Sequence, residues 1–205
     1  FPHGDFHELD LGFEFYAPQT TLTEDGRRLL FAWMGIPDQD ELLQPTVAQG
    51  WIHTMTCPRE QSYRNGRLYQ QPARELTQLR GTQTSWQGIA NAAPQLPADS
   101  AELQLSSSGP FCLSLRDALT LTWDGSRSTL SRRNLRSGEL EQRFWRGDLQ
   151  TLRLLCDHSS VELFINEGEA VMSARYFPQG EACFSLMGQA EVTLQHWPLA
   201  RCVVE

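Results

Sequence analysis

The stretch that most constrains the fold is residues 151–177, TLRLLCDHSSVELFINEGEAVMSARYF. Residues 152–156 are apolar, and residues 161–165 alternate apolar and polar side chains with the period of a β-strand. A tight turn around Gly168 then leads into residues 170–177, which are predicted to return antiparallel. An antiparallel meander with one apolar face needs a second layer to cover it. We therefore expect an all-β fold centred on this stretch, and we expect no titratable groups within it to converge on a site.

The rest of the chain divides near Arg80. Residues 81–100 are rich in Gln, Ala, Pro, Ser and Thr, and short strands then follow one another at intervals of roughly 8–12 residues, as is typical of a β-sandwich. Outside the meander, strands are predicted at 101–106, 111–115, 119–123, 128–131, 140–145, 183–187 and 190–197. We expect one domain over residues 1–80 and a sandwich over residues 81–205.

The first 80 residues read as two hairpins separated by a long loop over residues 35–49. Asn65-Gly66 is the strongest short hairpin signal in the chain. Strands are predicted at 15–21, 29–34 and 51–57 and on both sides of that turn, and two helical turns are predicted at 73–79. Such hairpins are compatible with part of a β-propeller.

The charge and the cysteines exclude some classes of partner. A net charge of -8 argues against a nucleic-acid partner or an anionic membrane surface. No apolar run approaches the roughly 20 residues that cross a bilayer. The five cysteines are odd in number and widely spaced, which favours reduced thiols in a cytoplasmic protein over a disulfide framework or a zinc site. No cofactor is predicted.

Three polar residues before the first hairpin are candidates for chemistry. Asp10, Glu14 and Tyr16 are spaced so that an extended strand would project them toward the same side, where the Tyr16 hydroxyl could reach a substrate or tune a carboxylate. The alternative is an Asp10-Leu11-Gly12 turn followed by a strand with an exposed acid, and spacing alone favours this alternative.

The other candidates have simpler explanations. Trp33 and Trp51 flank the long loop and could stack on sugar rings, although a place in the core is the more common role for tryptophan. His3 and His7 lack a third metal ligand, so no metal site is predicted. Arg59-Glu60 and Arg74-Glu75 are interpreted as surface or hairpin ion pairs that contribute little energy. Asp157-His158-Ser159 contains the residue types of a catalytic triad, but in a turn that cannot align them.

Five segments resemble glycoside hydrolase family 32, the invertases and sucrose-6-phosphate hydrolases. They are LDLGFEFYAPQT, GRRLLFAWM, GWIHTMTCPRE, GRLYQQPARELTQLR and SSVELFINEGEAVMS, in the order of the family and over nearly the whole chain. The resemblance implies a five-bladed β-propeller followed by a β-sandwich, of which this chain would hold the last blade or so and the sandwich. It also implies retaining hydrolysis of β-fructofuranosides by two carboxyl groups about 5 Å apart.

The resemblance also implies that the catalytic acids are absent. In the family they lie in Asn-Asp-Pro-Asn-Gly, Glu-Cys-Pro and Arg-Asp-Pro motifs, and none of the three occurs here. The residues that carry over are Tyr16, which matches a tyrosine near the acid/base, and Trp33, which matches a wall for the leaving sugar. Ala32 and Gln61 stand where the family has glycine and leucine, Glu14 stands where it has aspartate, and residues 45–49 lack a basic run.

Two hypotheses follow from these observations. The first is a C-terminal fragment of a β-fructofuranosidase-type hydrolase for sucrose or sucrose 6-phosphate, inactive alone, with no catalytic residue of its own. The sugar would then be a partner only of the complete enzyme. The alternative is a stand-alone β-sandwich module for assembly or carbohydrate binding. In either case the unpaired strand edges of the propeller remnant favour a homo-oligomer through residues before Arg80.

Overall fold

The computed structural model describes residues 6–35, 40–179 and 183–202. Within them the chain is all-β, with every strand pairing antiparallel and only short 3₁₀ turns as helical structure. The strands form one five-stranded sheet in the first part of the chain and two six-stranded sheets in the second. No helix among these residues is long and apolar enough to cross a membrane.

The five-stranded sheet is built from two hairpins and a short extra strand. Its strands are β1 (Tyr16–Leu22), β2 (Arg28–Met34), β3 (Thr54–Met55), β4 (Arg59–Arg64) and β5 (Arg67–Pro72). The order is β1-β2-β4-β5, with β3 paired to the end of β2. Asn65 and Gly66 both adopt positive φ, at 53° and 76°, which is the turn that the Asn-Gly pair predicts.

The first six-stranded sheet has the order β12-β11-β10-β9-β16-β7. Its strands are β7 (Leu96–Pro97), β9 (Phe111–Leu115), β10 (Leu119–Trp123), β11 (Arg127–Arg133), β12 (Leu140–Arg146) and β16 (Cys183–Met187). Its inward side chains alternate with polar ones, for example Leu113 and Leu115 on β9 and Leu119 and Leu121 on β10, all buried.

The second six-stranded sheet has the order β15-β14-β13-β8-β17-β6 and contains the predicted meander. Its strands are β6 (Thr84–Ile89), β8 (Ala101–Ser107), β13 (Thr151–Asp157), β14 (Ser160–Ile165), β15 (Ala170–Arg175) and β17 (Glu191–Pro198). Leu103, Leu154, Leu163 and Met172 from this sheet and Leu113 from the other belong to one buried apolar cluster. The two sheets therefore share a single core, as the apolar face of the meander requires.

The outer face of the meander packs on the first part of the chain. Leu155, Phe164 and Val171 form a second apolar cluster with Cys57 and Leu76. Residues 11–13 run along the edge strand β15, where the amides of Leu11 and Phe13 donate to the carbonyls of Val171 and Ser173 at 2.8 and 2.7 Å. The polar edge of this sheet is thereby covered by the chain itself.

The predictions at 51–57 and 81–100 were wrong in extent, whereas the helical turns predicted at 73–79 are confirmed. The strand predicted at 51–57 shrinks to Thr54–Met55, because the chain before it is wound into 3₁₀ turns at Glu41–Leu43 and Pro45–Gln49. The helical turns predicted at 73–79 form as a 3₁₀ turn, Arg74–Leu79. Residues 81–100 contribute the edge strands β6 and β7 and another 3₁₀ turn, Ala90–Ala92, none of which was predicted. A further 3₁₀ turn, Asn166–Gly168, makes the turn between β14 and β15.

Candidate functional site

Tyr16 and Trp33 lie side by side on the five-stranded sheet. They are paired across β1 and β2, and their ring centroids are 5.9 Å apart in an edge-to-face arrangement. Tyr16 is 52% exposed, so about half of the residue faces solvent. Aromatic pairs of this geometry attract each other and hold their rings in a defined orientation. The two residues that the sequence singled out thus form one aromatic surface.

His53 extends this surface and was not predicted. Its ring packs edge-on against Trp33 at 4.5 Å between centroids, and its Nε2 lies 3.1 Å from a carboxylate oxygen of Glu41. Gly35 makes the approach achievable, since a Cβ there would lie 2.5 Å from the His53 ring and 2.7 Å from Trp33. His53 therefore connects the aromatic surface to the 3₁₀ turn Glu41–Leu43. It lies in the loop directly before β3, and such a position gave no sequence signal.

Asp10 and Glu14 do not share this surface, which corrects the extended-strand interpretation. Asp10 lies in the predicted turn, where it accepts a hydrogen bond from the Gly12 amide at 2.8 Å. The same carboxylate accepts bonds from the amide and hydroxyl of Ser173 at 2.8 and 2.7 Å. Glu14 is buried rather than exposed, and it accepts two short bonds from the Arg132 guanidinium. These acids fasten the segment before β1 to the second part of the chain.

Arg59 is fully buried, which corrects its interpretation as half of a surface ion pair. Its guanidinium donates to Asp10 at 3.0 Å, to Glu162 at 2.9 and 2.6 Å, and to the Ser173 hydroxyl at 2.6 Å. Burial alone would lower the pKa of Arg59, but the carboxylates of Glu162 and Asp10 outweigh it and raise that pKa. Arg74-Glu75 is an exposed pair, as predicted.

The meander therefore does contribute charged groups, contrary to the expectation from its sequence. Glu162 on β14 bonds the Cys57 amide at 2.6 Å in addition to Arg59. Arg175 on β15 is 1% exposed and donates to the carbonyls of Ser159 and Ile52, each at 2.9 Å. The alternation of apolar residues assigned these charged positions to a face that was expected to be exposed. The structure shows that this second face of the sheet is covered as well.

Triad and metal chemistry find no support among the described residues. His158 contacts the Asp157 carboxylate at 2.7 Å, whereas the Ser159 hydroxyl accepts a bond from Arg175. His3 lies outside the described residues, and within them no three His, Cys, Asp or Glu side chains are grouped to hold a metal ion. The carboxylates of Asp10, Glu14 and Glu162 accept hydrogen bonds from arginine, so their oxygens are engaged in structural contacts.

Comparison with known proteins decides the family. Residues 1–72 match the model of the glycosyl hydrolases family 32 N-terminal domain, and residues 67–198 match that of the family 32 C terminal. The chain belongs to glycosyl hydrolase family 32. The resemblance drawn from the sequence segments is thus confirmed.

Curated members of family 32 resemble the chain along its whole length. It is 51% identical over 205 residues to a sucrose-6-phosphate hydrolase of Salmonella typhimurium, covering 100% of this chain and 43% of that protein. It is 40% identical over 210 residues to a sucrose-6-phosphate hydrolase of Bacillus subtilis, covering 96% of this chain and 44% of that protein. The chain therefore spans less than half the length of these relatives.

Solved family 32 structures share the fold. A sucrose-6-phosphate hydrolase from Lactobacillus gasseri superposes with a TM-score of 0.81 at 23% identity, over 93% of this chain and 42% of that one. A Bombyx mori β-fructofuranosidase of family 32 superposes with a TM-score of 0.77 at 27% identity, over 97% of this chain and 43% of that one.

Proposed function

We propose that the chain is the C-terminal part of a retaining hydrolase that acts on sucrose 6-phosphate, with sucrose as the alternative substrate. The five-stranded sheet would be a blade of the five-bladed propeller, the two six-stranded sheets would be the sandwich, and the boundary would lie near Arg80. The support is that the Salmonella typhimurium and Bacillus subtilis relatives are sucrose-6-phosphate hydrolases, and that one described sheet precedes Arg80 and two sheets with a shared core follow it.

The aromatic surface of Tyr16, Trp33 and His53 carries the functional part of the proposal. A half-exposed tyrosine beside a fixed tryptophan face suits a sugar, which needs one polar contact and one apolar wall. In this proposal Trp33 is the wall for the leaving sugar and Tyr16 orients the reacting group. His53 and Gly35 set the position of the tryptophan ring.

The isolated chain would have no hydrolase activity. The carboxylates that the family uses come from motifs that this sequence does not contain. The buried carboxylates that it does contain, Asp10, Glu14, Glu102 and Glu162, each accept hydrogen bonds from arginine. A retaining mechanism needs two carboxyl groups free to attack and to exchange a proton.

Reconstitution is the direct test. The chain would be co-expressed with the remaining N-terminal part of the Salmonella typhimurium relative, and release of fructose from sucrose 6-phosphate would be measured. We expect activity only from the mixture, and we expect Tyr16→Phe or Trp33→Ala to lower kcat/KM by about ten- to a hundredfold. Tyr63→Phe is the matched control, since Tyr63 is 75% exposed at the far hairpin of the same sheet. Turnover by the chain alone, or equal losses in both tyrosine variants, would contradict the proposal.

A second function, assembly, is favoured by the edge strand β1. All seven of its residues are exposed, so its backbone is open to pairing with another chain. We propose a homo-oligomer through residues before Arg80, with neither nucleic acid nor a membrane as a partner. We also propose that the protein is cytoplasmic, where the free thiols of Cys57, Cys112, Cys156 and Cys202 would stay reduced. Sedimentation at increasing concentration tests the oligomer, and a monomer throughout would exclude it.

A further inference from the structure

A cleft of about 710 Å³ lies between the turn Glu41–Leu43, the β9–β10 turn and the tip of the β11–β12 hairpin. Its size is that of a small-molecule site. Five arginines line it, namely Arg116, Arg132, Arg133, Arg143 and Arg175. Five carboxylates line it as well, namely those of Glu14, Asp40, Glu41, Asp117 and Glu141.

The acidic groups of the cleft are mostly occupied. Arg132 binds both Glu14 and Glu141, at 2.6 and 3.1 Å. Asp40 pairs with Arg136, and Glu41 contacts His53. Asp117, on the β9–β10 turn, has no ion pair within the part of the chain that the structure describes.

Three of the lining arginines form no ion pair with any described carboxylate. Arg133 donates to the Gly138 carbonyl at 2.9 Å, and Arg143 donates to the Gly12 carbonyl at 3.2 Å. Arg175 is buried between the rings of Trp51 and Phe177, each 5.3 Å from its guanidinium carbon. Neutral carbonyls accept hydrogen bonds from these three groups without balancing their charge. Arg133 and Arg143 are exposed, so burial makes only the charge of Arg175 costly.

Arg116 is the most incompletely satisfied of the five. Its Nε and Nη1 atoms are buried and have no hydrogen-bond partner, and its Nη2 lies 3.8 Å from Asp99, beyond hydrogen-bond distance. The residue sits in the left-handed region, with φ of 52°, so the turn fixes where its side chain starts. Buried donors without an acceptor are rare in native proteins and call for an explanation, such as an ordered water or a bound ion.

We propose that this cleft binds a phosphate group, carried by inorganic phosphate or by a small phosphate ester. A phosphate dianion accepts hydrogen bonds on every side, so it suits guanidinium groups that arrive from the β9–β10 turn, β11 and β12. A planar carboxylate, by contrast, is satisfied by a single arginine fork. The rings of Phe13, Tyr176 and Phe177 line the same cleft and leave apolar surface for the body of an ester.

The site consists only of residues of this chain, so its test does not depend on whether the proposed hydrolase function is correct. Calorimetric titration of the 205-residue chain at constant ionic strength would use inorganic phosphate, glucose 6-phosphate and glucose as probes. We expect both phosphates to bind and glucose not to bind. Tighter binding of glucose 6-phosphate would identify an ester as the ligand, and equal binding would identify the phosphate group alone.

Two substitutions locate the binding. Arg116→Gln and Arg133→Gln should each raise the dissociation constant of phosphate about tenfold, because each removes a charge-assisted bond. Arg146→Gln is the matched control: it removes an exposed arginine from the opposite end of the same hairpin. Absence of binding at millimolar phosphate, or an equal loss in the Arg146→Gln variant, would overturn the proposal.

Discussion

The two edges of the five-stranded sheet differ completely in their surroundings. At the β5 edge, the Gln71 side chain donates to the Glu167 carbonyl at 2.9 Å, and Arg64 and Arg67 pair with Glu167 and Glu169. At the β1 edge every residue from Tyr16 to Leu22 is exposed. One edge is completed by the turn between β14 and β15, about a hundred residues away, whereas the described part of the chain offers nothing to the other.

Because of this difference, substitutions at the two edges of the sheet should have different effects. On the β5 side, ion pairs and close backbone contacts join the sheet to the rest of the chain, so changes there should alter the free energy of unfolding. On the β1 side, Pro18 and a bulge between Tyr16 and Gln19 interrupt the start of the strand, so residues 19–22 form its regular, exposed stretch. Changes there should alter association and leave the free energy of unfolding nearly unchanged.

The largest effect is expected from Arg59→Met. This substitution leaves the Asp10 and Glu162 carboxylates buried without their cation, and it should lower the free energy of unfolding by about 3–5 kcal/mol in urea titrations. Arg64→Met is the control, because its pair with Glu167 is exposed and should contribute about 0–1 kcal/mol. Similar losses of unfolding free energy in both variants would mean that the buried ion pairs of Arg59 do not stabilise the β5 side of the sheet.

Two glycines with nearly the same φ measure the close approach at the β5 edge. Gly168 has φ of 86°, and a Cβ there would lie 1.8 Å from the Gln70 carbonyl oxygen, whereas Gly26 has φ of 83° and open space around it. Gly26→Ala should cost about 1 kcal/mol for the backbone conformation alone. Gly168→Ala should cost about 1–3 kcal/mol more, since β5 and the turn must separate. Equal costs in thermal unfolding would show that the contact is not tight.

A smaller, pH-dependent effect is expected at the linker between the two parts of the chain. Glu102 is buried, which would raise its pKa, but bonds from Arg80, Gln104 and Arg153 lower that pKa below its usual value of 4.5. The stability that its charge provides is therefore fully present above pH 4.5 and is lost as the pH falls through the lower, folded-state pKa. Glu102→Gln should cost about 2 kcal/mol at neutral pH.

The measurement is the free energy of unfolding from pH 7 down to pH 3. The difference between the native chain and Glu102→Gln should shrink as the pH falls, because protonation removes the same charge that the substitution removes. A difference that stays constant with pH would show that Glu102 acts through its shape and not through its charge.

Local patterns in the sequence were enough to place the strands of the second part of the chain. Phe111–Leu115 and Leu119–Trp123 occur at the predicted bounds, since each alternates buried with more accessible side chains. Cys183–Met187 also occurs at its predicted bounds, although Phe184 is its only buried residue. Strand β6 was missed because its residues are mostly exposed at a sheet edge, so almost no apolar alternation marks it. The short strand β3 was overestimated because Trp51 and Ile52 are apolar but lie outside the sheet.

The site was less predictable because its contacts are long-range. Resemblance to the family identified Tyr16 and Trp33, whose roles remain predictions, and the structure adds that they are neighbours. It could not identify His53, which reaches Trp33 through a loop, or the burial of Arg59, whose partners Asp10 and Glu162 are 49 and 103 residues away. A charged residue is assigned to the surface by sequence analysis unless the residues that cover it are known.

The smallest effect on stability, and the sharpest test of the open edge, is expected from Leu22→Glu. Leu22 is 62% exposed at the end of β1, so a charge there should change the free energy of unfolding by less than about 0.5 kcal/mol. If chains associate through this edge, like charges would face each other and self-association in sedimentation should weaken about tenfold. Leu140→Glu is the matched control, since Leu140 is 59% exposed on β12, an edge strand of another sheet. If only the Leu140→Glu variant associated more weakly, the interface between copies would lie in the second part of the chain. Strand β1 would then be open to a partner that is not a second copy of this chain.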